Sequence, residues 1–459
     1  MTRLFGTNGI REVVGATFTP AFVTRVASAI ATLAPADRPV VVGWDGRTSS
    51  VAFARLVGST LALAGHRVVE VGLLPTPAIQ YTVPRLGAGF AVIVTASHNP
   101  PEFNGIKCIG DDGLEASREV EEQIEAAYDA AVAPSVPFDR IGEIDHDGLG
   151  AERYLRGVLE QVDRRAISAR RFRVALDCGN GASVPTSPHL LHRLGCRTVT
   201  LNGHVDGTFP GRRSEPVEAN VGDLKRLVPS VEADLGVAHD GDADRAVFVR
   251  ADGGYVPGEK MLALFARDAV ERAGGGTVVV PISTSRTVEE AVAPLGGRVV
   301  YTKVGSPSIV RAMREHRAVF GGEDNGGSIF PAFQLARDGA MALGAALDLL
   351  TRRKAPLAEL VRGLPSYQLL RDTVDCPVEL RAQVLARVAE LLGRGGARVE
   401  TLDGVKVSSP RGWLLLRPSG TEPIFRVVAE AKEADDARAL ANDGLRTVRE
   451  ALSELGHAS

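Results

Sequence analysis

The spacing of apolar residues along the chain predicts strands that alternate with helices. Short β-branched runs end in small-residue turns at 40–42, 174–176 and 278–280, and each turn is followed by a helical pattern. Strands that alternate with helices are typical of layered α/β domains. Because the three runs have the same design, the sequence predicts three similar α/β units.

One helix start is explicit near the N-terminus. Thr19 can cap a helix whose first position is Pro20, a residue that is favoured there because its missing N–H is not needed. The apolar positions that follow are spaced as on one helical face, at Phe22, Val23, Val26, Ile30 and Leu33. The pattern predicts a scaffold helix.

The C-terminal segment has a different pattern. Two apolar runs, at 413–416 and 424–428, read as strands joined by a seven-residue loop, and a helical pattern follows from about 434 to 452. This order predicts a small α+β domain with an antiparallel sheet. Segments rich in Pro and Gly, which indicate joints between domains, lie at 133–137, 252–258 and 363–366.

Composition and charge narrow the class of protein. The 459 residues suggest three or four domains, and 44% hydrophobic with 24% charged residues is ordinary for a globular chain. A net charge of −3 gives no basic field, so we expect no nucleic-acid partner. No apolar stretch of about 20 residues and no signal peptide are evident, so we expect no membrane partner. Four cysteines without a CxxC pair favour a cytoplasmic location.

A serine lies in a tight loop directly after a short apolar strand. The run 90–94 is followed by TASHNPP, in which Ser97 and His98 stand before two prolines. Loops at strand ends of α/β sheets present side chains to ligands. Lys107, ten residues on, could deprotonate a hydroxyl or hold a phosphate. A polar turn that satisfies its own backbone would look similar, and a lone histidine is more often structural than catalytic.

Three carboxylates follow another short strand. The run 235–239 leads into DGDADR, which places Asp240, Asp242 and Asp244 at alternate positions. Side chains at i, i+2 and i+4 of an extended segment can converge on one hard cation. Without a cation they would repel one another, so the pattern favours a metal site over a solvated acidic turn.

Two other metal-loop classes can be weighed. An EF-hand would need Gly and Glu where Arg245 and Ala251 stand, so that class is excluded. An aspartate-nucleophile phosphotransferase would use Asp240 as nucleophile and Asp242 as acid-base. That pattern resembles the haloacid-dehalogenase superfamily, which prefers Thr or Val at the position of Asp244, and it stays a minor alternative.

Two further loops carry polar side chains that suit a sugar phosphate. The Gly-rich GEDNGG turn offers Glu323 and Asn325, whose carboxylate and amide suit hydroxyls that both donate and accept. The RPSGTEP loop, together with Arg426 just after it, forms a candidate phosphate cradle from Arg417, Ser419, Gly420 and Thr421. A plain Gly-rich turn and a structural hairpin remain the alternatives.

The four loops occur in one order, TASHNP, DGDADR, GEDNGG and RPSGTEP, and FGTNGIR at 5–11 precedes them. This ordered set resembles the α-D-phosphohexomutase family, which includes phosphoglucosamine mutase and phosphomannomutase/phosphoglucomutase, over essentially the whole chain. The resemblance implies three similar mixed α/β domains plus a C-terminal α+β domain with an antiparallel sheet, around a central cleft. The expected boundaries are 1–150 with the phosphoserine loop, 151–252 with the metal loop, 253–363 with the sugar loop, and 364–459 with the phosphate loop.

The resemblance also implies roles for individual residues. Ser97 would be the phosphoserine, and its phosphate would complete a Mg²⁺ site made by the three aspartates. The implied residues are Ser97, Lys107, Arg11 and His98 for catalysis, Ser97, Asp240, Asp242 and Asp244 for the metal, and Arg245, Lys303, Glu323, Asn325, Arg417, Ser419, Gly420, Thr421 and Arg426 for the substrate.

The resemblance implies a hexose phosphate substrate and a bisphosphosugar that acts as intermediate and activator. Ser97 would pass its phosphoryl group to a sugar hydroxyl, and the intermediate would turn before rephosphorylating the serine. A hinge at 363–366 would let the last domain open and close. Whether the chain is a monomer or a homo-oligomer is left open by the sequence.

The sugar preference is less determined than the chemistry. Departures from the family pattern stand at Glu12, Trp44, Ser306 and Gly327. The FGTNGIR start favours glucosamine 6-phosphate and glucosamine 1-phosphate as the interconverted pair, and phosphomannomutase/phosphoglucomutase activity is the alternative. An aspartyl-phosphate phosphotransferase and a non-catalytic sugar-phosphate-binding protein are the other hypotheses.

Overall fold

A computed structural model of the chain describes residues 3–6, 8–394, 399–419 and 423–456. The first domain is built on a six-stranded sheet of order β1-β5-β4-β2-β3-β6. Strands β2, β3, β4 and β6 run parallel, while β5 and β1 are antiparallel to their neighbours. Its elements are β1 (Ile10–Val13), α1 (Pro20–Ala31), β2 (Val40–Trp44), α2 (Ser50–Leu63), β3 (Val68–Leu73), α3 (Thr76–Arg85), β4 (Phe90–Val94), β5 (Phe103–Gly110), α4 (Arg118–Asp129) and β6 (Ile144–His146).

The second domain has a five-stranded sheet of order β11-β10-β9-β7-β8. Strand β7 is parallel to β8 and β9, and β10 and β11 continue the sheet antiparallel. Its elements are α5 (Gly150–Leu159), α6 (Arg164–Arg170), β7 (Arg173–Asp177), α7 (Ser187–Arg193), β8 (Arg197–Leu201), α8 (Gly222–Ser230), β9 (Leu235–His239), β10 (Ala246–Arg250) and β11 (Tyr255–Val256).

The third domain repeats this plan with four strands in the order β13-β12-β14-β15. Strand β12 is parallel to both β13 and β14, and β15 is antiparallel to β14. Its elements are α9 (Gly258–Ala273), β12 (Gly276–Pro281), α10 (Arg286–Val292), β13 (Gly297–Thr302), α11 (Ser306–Glu315), β14 (Phe320–Gly322), β15 (Ser328–Ile329), α12 (Gly339–Arg353) and α13 (Leu357–Arg362).

The fourth domain has a sheet of order β16-β20-β19-β18-β17 in which every pair is antiparallel. Helices α14 and α15 pack on it, and the core includes Val388, Leu414, Phe425 and Val448. Its elements are β16 (Gln368–Asp375), α14 (Arg381–Gly393), β17 (Val399–Glu400), β18 (Val405–Ser408), β19 (Gly412–Pro418), β20 (Ile424–Ala431) and α15 (Ala434–Glu454).

The predicted architecture of three similar α/β domains and one antiparallel α+β domain is therefore confirmed. The Thr19 cap is also confirmed, since its side chain accepts a hydrogen bond from the Phe22 amide at 3.3 Å. The predicted seven-residue C-terminal loop is wrong, because Arg417 and Pro418 pair with Arg426 and Phe425 and belong to the strands. The four domain boundaries stay predictions.

One topological feature positions the loops of interest. In each α/β domain a parallel strand, β4, β9 or β14, is followed by a strand antiparallel to it. The serine, aspartate and GEDNGG loops lie at that same turn in the three domains. A continuous apolar core, which includes Ile93, Val237 and Phe320, runs through all three domains. The shared core fixes the three domains against one another, so their loops can be held close together.

Candidate active site

The serine loop has a constrained backbone. Ser97 is fully buried and adopts φ +50, a left-handed conformation that is uncommon outside glycine. Its amide donates to Thr95 Oγ1 at 2.9 Å, and that hydroxyl donates to Asp45 at 2.7 Å. Arg47 donates to the loop carbonyls of Ser97, Asn99, Pro100 and Phe103 at 2.6 to 2.9 Å. A single guanidinium thus gathers the loop around the serine.

The aspartate loop lies against the serine. Carboxylate oxygens of Asp240, Asp242 and Asp244 lie within 4.8 Å of one another, and all three residues are buried. Ser97 Oγ donates to Asp240 Oδ2 at 3.1 Å. The approach is possible because position 241 is glycine, where a Cβ atom would lie 2.6 Å from the carbonyl oxygen of Ser97. The two loops that the sequence singled out separately therefore form one centre.

Lys107 pairs with the other two carboxylates of the aspartate loop. Its Nζ donates to Asp242 Oδ2 at 2.7 Å and lies 3.7 Å from Asp244 Oδ2, and its side chain is 2% exposed. Thr76, at the start of α3, donates to the same Asp242 oxygen at 2.7 Å, and its amide donates to the Asp242 carbonyl at 2.9 Å. Asp242 is thereby joined to the first domain at three points.

The electrostatics show how the three carboxylates share their charge. Burial, with Asp244 and Asp242 adding to it, raises the pKa of Asp240 well above its usual range. Burial alone would raise the pKa of Asp242 too, but Lys107 reverses this and the pKa is lowered. Burial would lower the pKa of Lys107, and Asp242 and Asp244 outweigh it and raise that pKa. Asp242 is therefore ionised beside an ammonium group, and the repulsion between like charges disfavours the ionised form of Asp240.

The donor set fits a divalent cation. Asp242 Oδ1 and Asp244 Oδ1 are buried and have no hydrogen-bond donor among the residues that the structure describes. Buried carboxylate oxygens without a donor are costly, and oxygen ligands of this kind are those that Mg²⁺ prefers. A cation bound there would satisfy both oxygens and relieve the repulsion at Asp240.

A histidine and an arginine lie beside the serine, and a second arginine contacts the same loop. Arg245 Nη2 donates to His98 Nδ1 at 3.1 Å, and Ser97 Oγ lies 3.3 Å from the same nitrogen. Burial, then Arg245 and Arg11, lower the pKa of His98 well below its usual value, so its ring is neutral. Arg11 donates to Asn99 Oδ1 at 2.8 Å. These cations place positive charge beside the serine, where an anionic group would be stabilised.

The GEDNGG loop reaches the same centre through Arg337. That guanidinium donates to Asp244 Oδ2 at 2.6 Å and to Glu323 Oε2 at 2.9 Å, and its side chain is 4% exposed. Asn325 Oδ1 accepts from the Gly327 amide at 3.1 Å and shapes the turn. Glu323 is thus fixed at the edge of the aspartate loop, and Asn325 has a structural contact within its own loop.

The remaining predicted substrate residues lie in the third and fourth domains. Arg417 pairs with Asp403 at 2.8 Å, Lys303 is exposed at the start of the loop before α11, and Arg426 is exposed on β20. Ser419 is buried, and its amide donates to the Ile424 carbonyl at 2.9 Å. Gly420 and Thr421 lie outside the described residues.

Several residues at this centre were not predicted from the sequence. Arg337 precedes α12 without any motif, and Thr76 sits in an apolar helix start, so neither carried a signal. Arg47 and Asp45 did carry one, because they follow β2 in a polar turn at the end of a parallel strand. Their role in holding the serine loop is visible only in three dimensions.

Comparison with known proteins gives a family. Models of the phosphoglucomutase/phosphomannomutase family match in chain order: alpha/beta/alpha domain I at residues 2–134, domain II at 152–253, domain III at 257–367 and the C-terminal domain at 374–447. In the part of the chain that the structure describes, no helix is long and apolar enough to cross a bilayer.

Relatives match along their full length. A probable phosphoglucosamine mutase of Methanopyrus kandleri is 39% identical, with 99% of this chain and 100% of the relative covered. A phosphoglucomutase/phosphomannomutase of Thermococcus kodakarensis is 38% identical, with 98% of this chain and 100% of the relative covered. A solved structure of a phosphoglucomutase/phosphomannomutase family protein from Burkholderia thailandensis has a TM-score of 0.86 at 26% identity, covering 98% of this chain and 97% of that one. With these matches the chain belongs to the phosphoglucomutase/phosphomannomutase family.

Proposed function

We propose that the protein is a phosphohexose mutase that interconverts hexose 6-phosphate and hexose 1-phosphate, with Ser97 as the phosphorylated residue. The observation that carries the proposal is the contact of Ser97 Oγ with Asp240 at 3.1 Å, beside two further buried carboxylates. A phosphoserine there would lie between a metal site and the cations Arg11 and Arg245. Phosphoryl transfer depends mainly on positioning and charge stabilisation of this kind.

In the first half of the reaction, a sugar hydroxyl oxygen bonds to the phosphorus and the bond to Ser97 Oγ breaks. Lys107, held as an ammonium by Asp242, is the candidate acid that gives a proton to Ser97 Oγ as its bond to phosphorus breaks. The neutral amine that remains takes the proton that the sugar hydroxyl loses, so the step balances. The second half repeats these steps in reverse with the other phosphate of the bisphosphosugar.

Asp240, Asp242 and Asp244 are the proposed ligands of Mg²⁺, which when bound would offset charge on the phosphoryl group being transferred. Arg47 keeps the Ser97 loop in place through the loop carbonyls. His98, neutral and accepting from Arg245, is proposed to orient that guanidinium rather than to move a proton.

For the sugar, glucosamine phosphate is the proposed substrate. Relatives named probable phosphoglucosamine mutase in Methanopyrus kandleri and Pyrococcus horikoshii support it, at 39% and 35% identity. The second candidate is phosphomannomutase/phosphoglucomutase activity, which the name of the Thermococcus kodakarensis relative favours. Glu323, ion-paired with Arg337, is the proposed contact for sugar hydroxyls.

The test measures turnover of glucosamine, mannose and glucose phosphates with Mg²⁺ and a bisphosphosugar activator. Ser97→Ala should abolish turnover and incorporation of phosphate. The control is Ser230→Ala, which replaces an exposed serine on α8 and should change neither. Mass spectrometry of the phosphorylated protein should place the phosphate on Ser97. Phosphate on Asp240 would instead support an aspartyl-phosphate enzyme, and saturable binding without interconversion would support a binding protein.

A further inference from the structure

Asp403 joins two domains through a single oxygen atom. It lies in the turn between β17 and β18, and its Oδ2 accepts from Arg417 Nε at 2.8 Å and from the Val304 amide at 2.9 Å. Arg417 belongs to the fourth domain and Val304 to the third. Both side chains of the ion pair are partly buried, at 17% and 19% exposure. Partial burial makes this charge-assisted contact stronger than an ordinary surface pair.

The turn that carries Asp403 is built to lie against Arg417. Gly404 adopts φ +86, and a Cβ atom there would lie 2.5 Å from the Leu416 carbonyl oxygen and 2.9 Å from Arg417 Cβ. Only glycine allows both the left-handed backbone and this approach. The Asp403–Arg417 contact is therefore fixed by the backbone as well as by charge.

The loop that Asp403 contacts also touches the first domain. Ser306, two residues after Val304, donates to Glu115 Oε2 at 2.5 Å and accepts from Asn8 Nδ2 at 3.2 Å. The loop from 303 to 306 is thus a junction at which the first, third and fourth domains meet. A change in the position of Asp403 would move the Val304 amide, and with it the neighbouring residue Lys303.

We infer that Asp403 is a positioning residue that holds Arg417 and the Lys303 loop in register across the domain boundary, so that both cations face the substrate phosphate that is not reacting. The inference rests on the proposed function. A guanidinium held through Nε still presents the two Nη groups at its terminal edge, which can grip a phosphate by two bonds. Asp403 acts through these groups and does not itself touch the substrate.

The test compares Asp403→Ala and Asp403→Asn by steady-state kinetics with a hexose 6-phosphate. Asp403→Ala should raise KM by about 10- to 100-fold with a much smaller change in kcat, because hydrogen bonds to a charged group are lost. Asp403→Asn keeps an acceptor oxygen and should show a smaller rise, about 3- to 10-fold. Asp443→Ala, which removes an exposed aspartate paired with Arg446, is the matched control and should leave KM unchanged.

A combination of variants separates positioning from general stability. If Asp403 acts through Arg417, the losses in kcat/KM of Asp403→Ala and Arg417→Ala should not multiply in the double variant. Multiplied losses, or an unchanged KM in Asp403→Ala, would overturn the inference. A lowered melting temperature with unchanged KM would assign Asp403 a purely structural role. Wild-type protein that turns over no hexose phosphate would instead refute the proposed function.

Discussion

The two ends of the proposed site are built differently. Around Ser97, the aspartates, Lys107 and Arg337 are almost fully buried and ion-paired with one another. Around Arg417, the ion pair with Asp403 is partly exposed, and Asp403 also accepts from the Val304 amide across the domain boundary. Buried charges in a low-dielectric site hold a fixed field at the reacting group, whereas partly exposed contacts can be broken and remade at modest cost.

That difference matches the proposed reaction. Chemistry at the serine requires one geometry, which buried ion pairs maintain. A bisphosphosugar that turns end for end requires the other end of the site to release and bind it again, which partly exposed arginine contacts permit. If the buried end is preorganised and the fourth domain is held less tightly, substitutions at the buried end should cost most and those at the fourth domain least.

The largest effect is expected at the metal loop. Asp242→Asn keeps the shape of the side chain but removes a proposed ligand charge, so kcat should fall by about 1,000-fold. Turnover should be measured over a Mg²⁺ titration, with Asp252→Asn, an exposed aspartate of the same domain, as the control. Activity that is independent of added Mg²⁺ after chelation would contradict the assignment.

Next, removal of Lys107 should destabilise the protein when no metal is present. Lys107→Met leaves the buried Asp242 carboxylate without the ammonium group paired with it, which should lower the free energy of unfolding by about 3 to 5 kcal/mol in EDTA. Mg²⁺ should restore part of the loss, because a bound cation replaces the missing charge.

Denaturant unfolding with and without Mg²⁺ checks this. Lys225→Met removes an exposed lysine–glutamate pair and should cost at most about 1 kcal/mol. Equal effects of the two lysine variants would show that the charges at the centre are not preorganised by burial.

Loosening the serine loop should reduce activity without unfolding the domain. Arg47→Lys cannot reach the four loop carbonyls at once, so Ser97 should lose its position and kcat should fall by about 100-fold. KM should change little. The control is Arg250→Lys at an exposed pair in the second domain, and unchanged kcat in Arg47→Lys would remove the positioning argument.

The smallest effect is expected where the third and fourth domains pack. Lys406 donates to the Ile282 carbonyl at 2.8 Å and lies 4.1 Å from the centroid of the Trp413 ring. Burial lowers its pKa to about 8, so the folded protein disfavours the ammonium form. Below pH 8 this penalty is fully present, and it disappears as pH rises from about 8 through the ordinary lysine value near 10.5.

Stability contributed by this group should therefore increase by about 1 to 2 kcal/mol between pH 8 and 10.5. Unfolding free energies of the wild type and Lys406→Met, measured over that range, give the difference. The free energy of unfolding of the wild type should rise relative to that of Lys406→Met over this range, because the lysine becomes neutral. A pH-independent difference would show that Lys406 stays charged against the Trp413 ring.

The sequence by itself determined the classes of element and the chemistry of the loops. Strands β4 and β9 were predicted because apolar runs end in turns, and the antiparallel fourth domain because two apolar runs are separated by a short loop. Asp240, Asp242 and Asp244 were recognisable because like charges at alternate positions need a cation. These are local properties, fixed by residue type and spacing.

Only the tertiary structure decided which distant residues meet. Ser97 and Asp240 are 143 positions apart, and their 3.1 Å contact depends on two sheets packed through one core. Arg337 and Asp403 belong to no recognisable motif, because the partners of an ion pair can lie far apart in sequence and form no local pattern. The extension of β19 through Arg417 and Pro418 was also missed, because ladder pairing with β20 overrides the turn signal of Pro and Ser.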